Sequence, residues 1–248
     1  MGLAGCATPP PADDPDAVED FKEANDPLEP MNRFFFEGTM KMDDLVLHPV
    51  AEGYRDTVPP FVRARISDLL ANLKSPLIFF NDLLQGNFSR ASTTIERMAL
   101  NTTFGVGGIM DVATPMGLPQ HDSDFGETMG VWGIGEGPYL FVPFLGPSNF
   151  RDLTGSVAAS FSDPLEIYLQ DNHMRWVAFT INGVSVVSTR ERLLDSTDEL
   201  KRSSLDFYSA LRSAYRQQRE AKIRAEIAGG EPPTAFFVRM LPHIQLNF

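Results

Sequence analysis

The chain has 248 residues, of which 43% are hydrophobic, and it carries a formal net charge of −12 at pH 7. This length allows one large domain or two small ones, and the hydrophobic content excludes wholesale disorder. Because the binding of nucleic acid requires a cationic surface, the charge argues against nucleic acid as a partner. It also argues against membrane attachment through a polybasic patch.

The N-terminal segment predicts a lipid anchor followed by a tether. Cys6, the one cysteine, ends the string Leu3-Ala4-Gly5-Cys6, and this pattern is read by bacterial lipoprotein signal peptidase. Two or more acyl chains anchor a protein stably, since each buried methylene contributes about 0.8 kcal/mol. Residues 8–16, rich in Pro and Asp, are typical of a flexible tether. The alternative is an incidental or buried cysteine. Because no basic and apolar leader precedes Cys6, we expect the start to be truncated or engineered.

Residues 31–50 predict an amphipathic helix with a wide apolar side, since Phe36, Met40 and Leu47 recur at helical spacing. Two interpretations stay open. The helix belongs to an ordinary core, or it lies among acyl chains at a membrane interface, which the density of Phe and Met also suits. The candidates for the membrane interface are Phe34, Phe35, Phe36, Met40 and Leu47.

Two further helices are expected before the middle of the chain. One follows Pro60 and ends before Pro76, with a separate apolar run over residues 79–84. The other covers residues 89–103 and ends at a glycine. The residues of this second helix that we expect to point inward are Ile95, Met98 and Leu100.

The middle of the chain changes character, because glycine and proline recur from Gly105 to Gly155. Residues 130–144 are highly apolar, yet their glycines and prolines argue against a regular helix or strand. Irregular backbone of this kind must be buried in protein or line a cavity, since unpaired amides do not face lipid.

The C-terminal part is predicted to be helical again. Asp163-Pro164 is a capped helix start, and a long final helix is expected over residues 198–227. Its apolar residues lie along one side and its arginines lie elsewhere, so we expect this helix to be half exposed. The apolar stripe consists of Leu200, Phe207, Leu211 and Tyr215. The chain therefore divides into a tether at 1–24, one helical domain at 25–228 and a tail at 229–248 whose role is unknown.

The sequence gives little support for catalysis. It contains no Gly-x-Ser-x-Gly elbow and no His-Glu-x-x-His motif, and its four histidines lie apart from one another. Glu127 and Glu136 lie among glycines, where solvated carboxylates are the common case. We therefore expect no enzyme, no catalytic residue, no metal and no cofactor.

Several strings, in order along residues 25–219, resemble the VacJ/MlaA family of outer-membrane phospholipid-transport lipoproteins. They are 25–33 (NDPLEPMNR), 48–55 (HPVAEGYR), 83–86 (LLQG), 101–113 (NTTFGVGGIMDVA) and 125–139 (FGETMGVWGIGEGPY), with shorter matches at 146–155, 193–195 and 203–215.

This resemblance implies an all-α fold. The expected shape is a ring-shaped helical disc with an irregular Gly/Pro-rich hairpin segment and a long C-terminal helix. The disc would sit in the inner leaflet of the outer membrane, on its periplasmic face, lipid-anchored. Phospholipid misplaced in the outer leaflet would enter an amphipathic channel and pass to a soluble periplasmic phospholipid-binding carrier protein. A trimeric porin of the outer membrane is a further implied partner.

The resemblance also implies the site residues. Arg151 and Asp152 match a charged pair of the family and are the head-group candidates, although an ordinary ion pair or a capping Asp is the alternative. The residues that would shape the channel hairpin are Gly126, Gly130, Trp132, Gly133, Gly135, Gly137, Pro138 and Tyr139. The competing hypothesis is an acylated structural or interaction protein that scaffolds a porin or a surface process without lipid transport.

Overall fold

A computed structural model describes residues 7–11 and 14–229. The predicted lipid-attachment residue Cys6 and residues 230–248 of the predicted tail lie outside this part of the chain. Within it, the helices are α1 (Pro15–Ala24), α2 (Glu29–Met42), α3 (His48–Thr57), α4 (Pro60–Leu84), α5 (Phe88–Thr103), α6 (Phe125–Val131), α7 (Phe150–Ser162), α8 (Pro164–Asp171), α9 (Arg175–Ser203) and α10 (Phe207–Ile227). The strands are β1 (Tyr139–Val142) and β2 (Gly146–Asn149). The prediction of a mainly α-helical chain is confirmed.

The first predicted helix is present but is not uniform. A π-helical turn, Asp43–Leu47, joins α2 to α3. Such turns insert one extra residue and redirect the side chains around them. Here the buried carboxylate of Asp43 accepts two hydrogen bonds from Arg190 on α9, at 2.7 and 2.8 Å. The turn therefore ties α2 to a helix far away in sequence.

The prediction that a helix ends before Pro76 is wrong, because α4 continues through this residue to Leu84. A proline inside a helix removes one backbone hydrogen bond and crowds the preceding turn. Packing against α5, the most extensive contact between two helices in the described residues, outweighs this local cost. The apolar run at 79–84 is the last part of the same helix.

Helix α5 turns its polar face inward, and the predicted inward positions are therefore wrong. Ile95 is exposed, and Met98 and Leu100 are only half-buried. Thr94 and Arg97 are buried instead. The residues that α5 buries are Arg90, Ala91, Thr94, Arg97 and Asn101.

The inward polar groups of α5 find partners on α4 and on the loop after α5. The Thr94 hydroxyl donates to Asp82 Oδ2 at 2.7 Å, and His121 Nε2 lies 2.9 Å from the same oxygen. Arg97 donates to Asp111 at 3.0 Å. Specific polar bonds thus replace apolar packing, which a pattern of apolar residues does not reveal.

The prediction that residues 130–144 form no regular helix or strand is wrong, because the end of α6 and all of β1 lie within them. Helix α6 covers residues 125–131, and β1 pairs antiparallel with β2, with Tyr139 opposite Asn149 and Val142 opposite Gly146. The prediction failed because the alternation is short and turn residues surround it. Phe144 in the connecting turn has φ +65°, a left-handed conformation that side chains other than glycine rarely adopt.

An aromatic cluster joins α2, β1 and α10. Phe36 packs edge-to-face on Phe141 and on Tyr208, with centroids 5.4 Å apart in both cases. Tyr139 and Tyr208 are each 1% exposed. The cluster is the apolar core of this part of the molecule.

The C-terminal part contains two helices where one long final helix was predicted to start near residue 198. Helix α9 runs to Ser203, and Asp206 then begins α10 by accepting the backbone N–H groups of Tyr208 and Ser209. A capping aspartate of this kind satisfies amides that have no partner within the helix. The predicted start of α8 is confirmed, since the Asp163 side chain caps it.

The described residues bury polar side chains and expose apolar ones to an unusual degree. More of their fully buried side chains are polar or charged than apolar. Large apolar side chains are exposed on α2–α5 and α7–α10, among them Phe61, Trp176 and Phe179. No helix among residues 14–229 combines the length and the hydrophobicity needed to cross a membrane.

Candidate functional site

The candidate site is built around Arg219 of α10. Its guanidinium group donates to Asp124 at 2.6 and 2.8 Å, to Glu127 at 2.8 Å and to Asp152 at 2.7 Å. The Arg219 side chain is only 11% exposed. One arginine thus joins the start of α6 to the start of α7. We call these contacts, together with the ion pair between Lys222 and Glu127, the charged seam.

The local sequence explains why carboxylates gather at the start of α6. Asp124 caps this helix by accepting the Glu127 backbone N–H at 2.9 Å. The positive end of a helix dipole favours carboxylates in its first turn. The Glu127 side chain, only 1% exposed, also lies 3.1 Å from Lys222 Nζ. Two cations of α10 therefore balance the two acidic residues of α6.

Asp152 is enclosed by partners on all sides. Its carboxylate accepts hydrogen bonds from Asn149 Nδ2 at 3.0 Å, from Arg151 Nε at 3.0 Å and from the Tyr215 hydroxyl, besides that from Arg219. Its backbone N–H donates to Asn149 Oδ1 at 2.7 Å. Asp152 therefore serves as a buried anchor for the surrounding side chains.

The electrostatics follow from burial and from these partners. Burial alone would raise the pKa of Asp152, but the charge and hydrogen bond of Arg219 lower it below its usual value. Glu127 differs, because burial and then the neighbouring Asp124 raise its pKa, which Arg219 and Lys222 only partly oppose. Asp152 is thus held as a carboxylate, while Glu127 is the acid of the seam that is hardest to ionise.

A cavity of about 720 Å³ lies next to the charged seam, between α1 and α10. Its charged lining residues are Arg151, Arg212, Arg216, Arg219 and Arg224 together with Asp20, Glu136 and Glu220. Cations and carboxylates therefore face the same space. A zwitterionic or anionic polar group would find partners of the opposite charge here.

One ion pair connects the segment that precedes the β-hairpin to this cavity. Glu136 accepts from Arg216 at 2.5 Å and from Asn25 Nδ2 at 3.1 Å. Glu136 therefore links α10, the hairpin segment and the turn before α2 at the edge of the cavity.

The structure separates the two predicted head-group residues. Arg151 lines the cavity, and one of its terminal nitrogens donates to the Ile134 carbonyl at 3.3 Å. Asp152, its neighbour in sequence, lies behind it within the charged seam. Of the predicted pair, Arg151 alone faces the space that a ligand could enter.

Two of the predicted hairpin glycines belong to α6. A Cβ atom on Gly126 would lie 2.6 Å from Asp152 Oδ1, and one on Gly130 would lie 2.5 Å from Ile223 Cδ1. These glycines allow α7 and α10 to approach α6 closely, so they support the charged seam and not the hairpin.

The other predicted hairpin residues lie between α6 and β1 or in β1 itself. Gly133 and Gly137 adopt φ of +84° and +67°, which glycine tolerates. Trp132 is half exposed and donates from Nε1 to the Leu84 carbonyl at 2.9 Å. Gly135 is exposed, Pro138 is half-buried and Tyr139 belongs to the aromatic cluster.

The predicted membrane-interface residues differ in their exposure to solvent. Phe34 is 65% exposed, whereas Phe35, Met40 and Leu47 are half-buried. Phe36 is buried in the aromatic cluster, so its assignment to the interface is corrected. Helical spacing placed it on the apolar side but did not separate the part that packs on β1 from the part that faces outward.

Arg219, Lys222 and Asp124 were not among the predicted site residues, and the arginines of the last helix were placed only off its apolar stripe. A signal was present, since Arg212, Arg216 and Arg219 recur at intervals of four and three residues and so share one helix face. Of the four arginines of α10, Arg224 alone is strongly exposed. No group of three or more His, Cys, Asp or Glu side chains within residues 14–229 is arranged to hold a metal ion.

The described residues form a mainly helical protein with buried charged side chains, a mixed-charge cavity and many exposed large apolar side chains. Exposure of this kind is typical of proteins that contact a membrane or another protein. Comparison with known proteins agrees. A family model described as MlaA lipoprotein matches residues 24–222. The chain belongs to the MlaA lipoprotein family.

Individual relatives are similar over most of the chain. The Escherichia coli K12 protein called intermembrane phospholipid transport system lipoprotein MlaA is 34% identical over 88% of this chain and 83% of its own length. The Haemophilus influenzae protein of the same name is 31% identical over 90% and 86%. A solved structure described as the "structural basis for maintenance of bacterial outer membrane lipid asymmetry" is 36% identical, with a TM-score of 0.70, covering 79% of this chain and 97% of that one.

Proposed function

We propose that this protein acts in phospholipid transport and maintains the lipid asymmetry of the bacterial outer membrane. It removes mislocalised phospholipids from the outer leaflet through an amphipathic channel. The observation that carries the proposal is the mixed-charge cavity lined by Arg151 and Glu136, in a molecule whose outer surface exposes aromatic and aliphatic side chains. The names and descriptions of the similar proteins support the same function.

The chemistry of a phospholipid explains why such a site is needed. Its head group is costly to move through hydrocarbon without polar partners, whereas its acyl chains prefer apolar surroundings. A cavity lined by cations and carboxylates offers the head group those partners, and exposed apolar side chains remain available to the tails. Arg151 is the proposed contact for the lipid phosphate, and Asp152 with Arg219 holds Arg151 in place.

The proposed setting includes an anchor and two partners. Acylated Cys6 holds the protein at the periplasmic face of the outer membrane. A soluble periplasmic carrier receives the lipid, and a trimeric porin lies beside the protein in the same membrane. The channel is passive, so the partners set the direction of net movement.

The test uses a Gram-negative strain that lacks its own member of the family. The strain receives this chain behind a complete lipoprotein signal, and the phospholipid content of the outer leaflet is measured. We expect the parent chain to lower this content. We expect Arg151→Gln to restore asymmetry less well, because glutamine keeps the polarity but loses the charge that binds phosphate.

Arg202→Gln is the matched control, since Arg202 is 74% exposed on α9 and lies apart from the cavity lining. Equal rescue by parent and Arg151→Gln would keep the transport function and discard the head-group contact. No rescue by an acylated, correctly located parent would overturn transport in favour of a scaffold for a porin or a surface process.

A further inference from the structure

A second open space lies apart from the mixed-charge cavity. It is a groove of about 340 Å³ between α2 and the turn of the β-hairpin. Ligand sites commonly occupy about 300–1,000 Å³ and are mostly apolar. The apolar or small residues that line this groove are Phe34, Phe35, Gly38, Met42, Pro143 and Phe144.

The conformation of the hairpin turn contributes to this groove. Phe144 has φ +65° and is 73% exposed, although a buried position would be the usual location for its ring. A left-handed conformation at a bulky residue is strained and is often found at functional positions. The strained backbone here presents an aromatic side chain to the groove.

Two charged residues mark one edge of the groove. Glu37 and Lys41 lie one helical turn apart on α2, and both line it. Within residues 14–229, neither side chain is paired with a residue of opposite charge. An apolar groove whose edge carries a cation and a carboxylate, neither ion-paired among the described residues, matches a zwitterionic phospholipid, with phosphate at Lys41 and an acyl chain in the groove.

We propose that this groove is a binding site for one acyl chain of a phospholipid, with Lys41 contacting the lipid phosphate. The inference rests on the proposed transport function and adds a second lipid contact to it, distinct from the cavity at Arg151. The exposed Phe34 makes the groove continuous with the outer apolar surface, so a lipid enters it sideways from the membrane.

Gly38 provides a clean test. A Cβ atom at this position meets nothing within 4 Å, and its backbone is ordinary helix, so a leucine would extend into the groove without a clash. Replacing a helix-interior glycine also tends to stabilise a helix. Gly53 in α3 has the same open surroundings and does not line the groove, so Gly53→Leu is the matched control.

The full acylated chain is placed in nanodiscs of phosphatidylethanolamine and phosphatidylglycerol. A fraction of the phosphatidylethanolamine carries a photoactivatable acyl chain, and labelled residues are identified by mass spectrometry. We expect labelling of Phe35 and Met42 to exceed that of Phe80, which is exposed on the apolar surface of α4. Gly38→Leu should lower labelling of the groove about tenfold, since each displaced methylene weakens binding roughly fourfold. Labelling of Phe80 should not change.

Lys41→Glu should also lower labelling of the groove, and Lys41→Arg should retain it. Labelling of the groove no stronger than that of Phe80, or an equal effect of Gly38→Leu and Gly53→Leu, would overturn the proposal. So would labelling that appears only in a Cys6→Ser chain, because the protein's own acyl anchor would then be the occupant. These results are independent of outer-leaflet lipid content, so the groove and the transport function can fail separately.

Discussion

The two halves of α10 are held to the rest of the protein by different chemistry. In the first half, Phe207 and Tyr208 pack on Phe36 of the aromatic cluster, with one added ion pair from Arg212 to the buried Asp26 at 2.9 Å. In the second half, Arg219 and Lys222 make the ion pairs of the charged seam. Shortening a buried apolar side chain lowers stability in proportion to the atoms removed. Removing one partner of a buried ion pair instead leaves an uncompensated charge.

This difference predicts unequal sensitivity along one helix. The charged half should be the more fragile, although its pairs contribute little net stability compared with an apolar replacement. The proposed function gives a reason for these charges, since the same arginine face lines the mixed-charge cavity. The aromatic half then serves to fix the position of that face.

The largest effect is expected for Arg219→Ala. This change leaves Asp124, Glu127 and Asp152 without their shared cation, and we expect the free energy of unfolding to fall by about 3–5 kcal/mol. Denaturant unfolding of the detergent-solubilised protein measures it. Arg224→Ala is the control, since Arg224 is 74% exposed on the same helix and should change stability little. Equal losses in the two variants would show that the seam is not a buried electrostatic site.

A smaller effect is expected in the aromatic half, for Phe36→Leu. Leucine keeps an apolar side chain but leaves part of the ring volume empty, so we expect a loss of about 1–2 kcal/mol. The same unfolding measurement applies. Phe34→Leu on the same helix changes an exposed ring and should cost far less. A loss from Phe36→Leu above that from Arg219→Ala would reverse the contrast between the two halves.

The aromatic half was largely predictable from the sequence, and the charged half was not. Helical spacing correctly placed Phe36 on the apolar side of its helix, and the apolar stripe of the last helix includes Phe207 and Tyr215, which pack in that cluster. Arginines, by contrast, are usually exposed. Only the approach of α6 to α10, allowed by Gly130, shows which of them become buried.

The same limit explains the errors at α5. Burial of Thr94 and Arg97 depends on Asp82 and Asp111, and the pairing of such distant residues cannot be read from one sequence. Periodicity and family resemblance both indicated a mainly helical fold in advance. The resemblance also singled out Arg151 and Asp152, but it did not distinguish the side chain at the cavity from the one behind it.

The polar contacts of α5 predict that the stability of the protein depends on pH. Burial alone would raise the pKa of Asp111 above 3.8. Hydrogen bonds from Thr114 and Arg97 together have the larger effect and lower this pKa to about 2. Because the pKa is lower in the folded state, its stabilisation is complete above pH 4 and is lost as the pH falls towards 2. The contribution is about 1 kcal/mol after allowance for solvent screening. Below pH 4, the free energy of unfolding of Asp111→Asn should fall less steeply with pH than that of the parent. An equal slope in the two proteins would contradict the lowered pKa of Asp111.

The smallest effect is expected at the start of α10, where two variants of Asp206 distinguish the helix cap from the ion pair. Asp206 caps the helix and also pairs with Arg33 at 2.5 Å, while both side chains are more than a third exposed. Asparagine caps as well as aspartate does, so Asp206→Asn removes only the ion pair and should cost about 0.5 kcal/mol. Asp206→Ala loses the cap too and should cost about 1–2 kcal/mol by the same unfolding measurement. If both variants lost the same amount, the ion pair with Arg33 would be the dominant contact, and the aromatic half of α10 would depend on charge as the other half does.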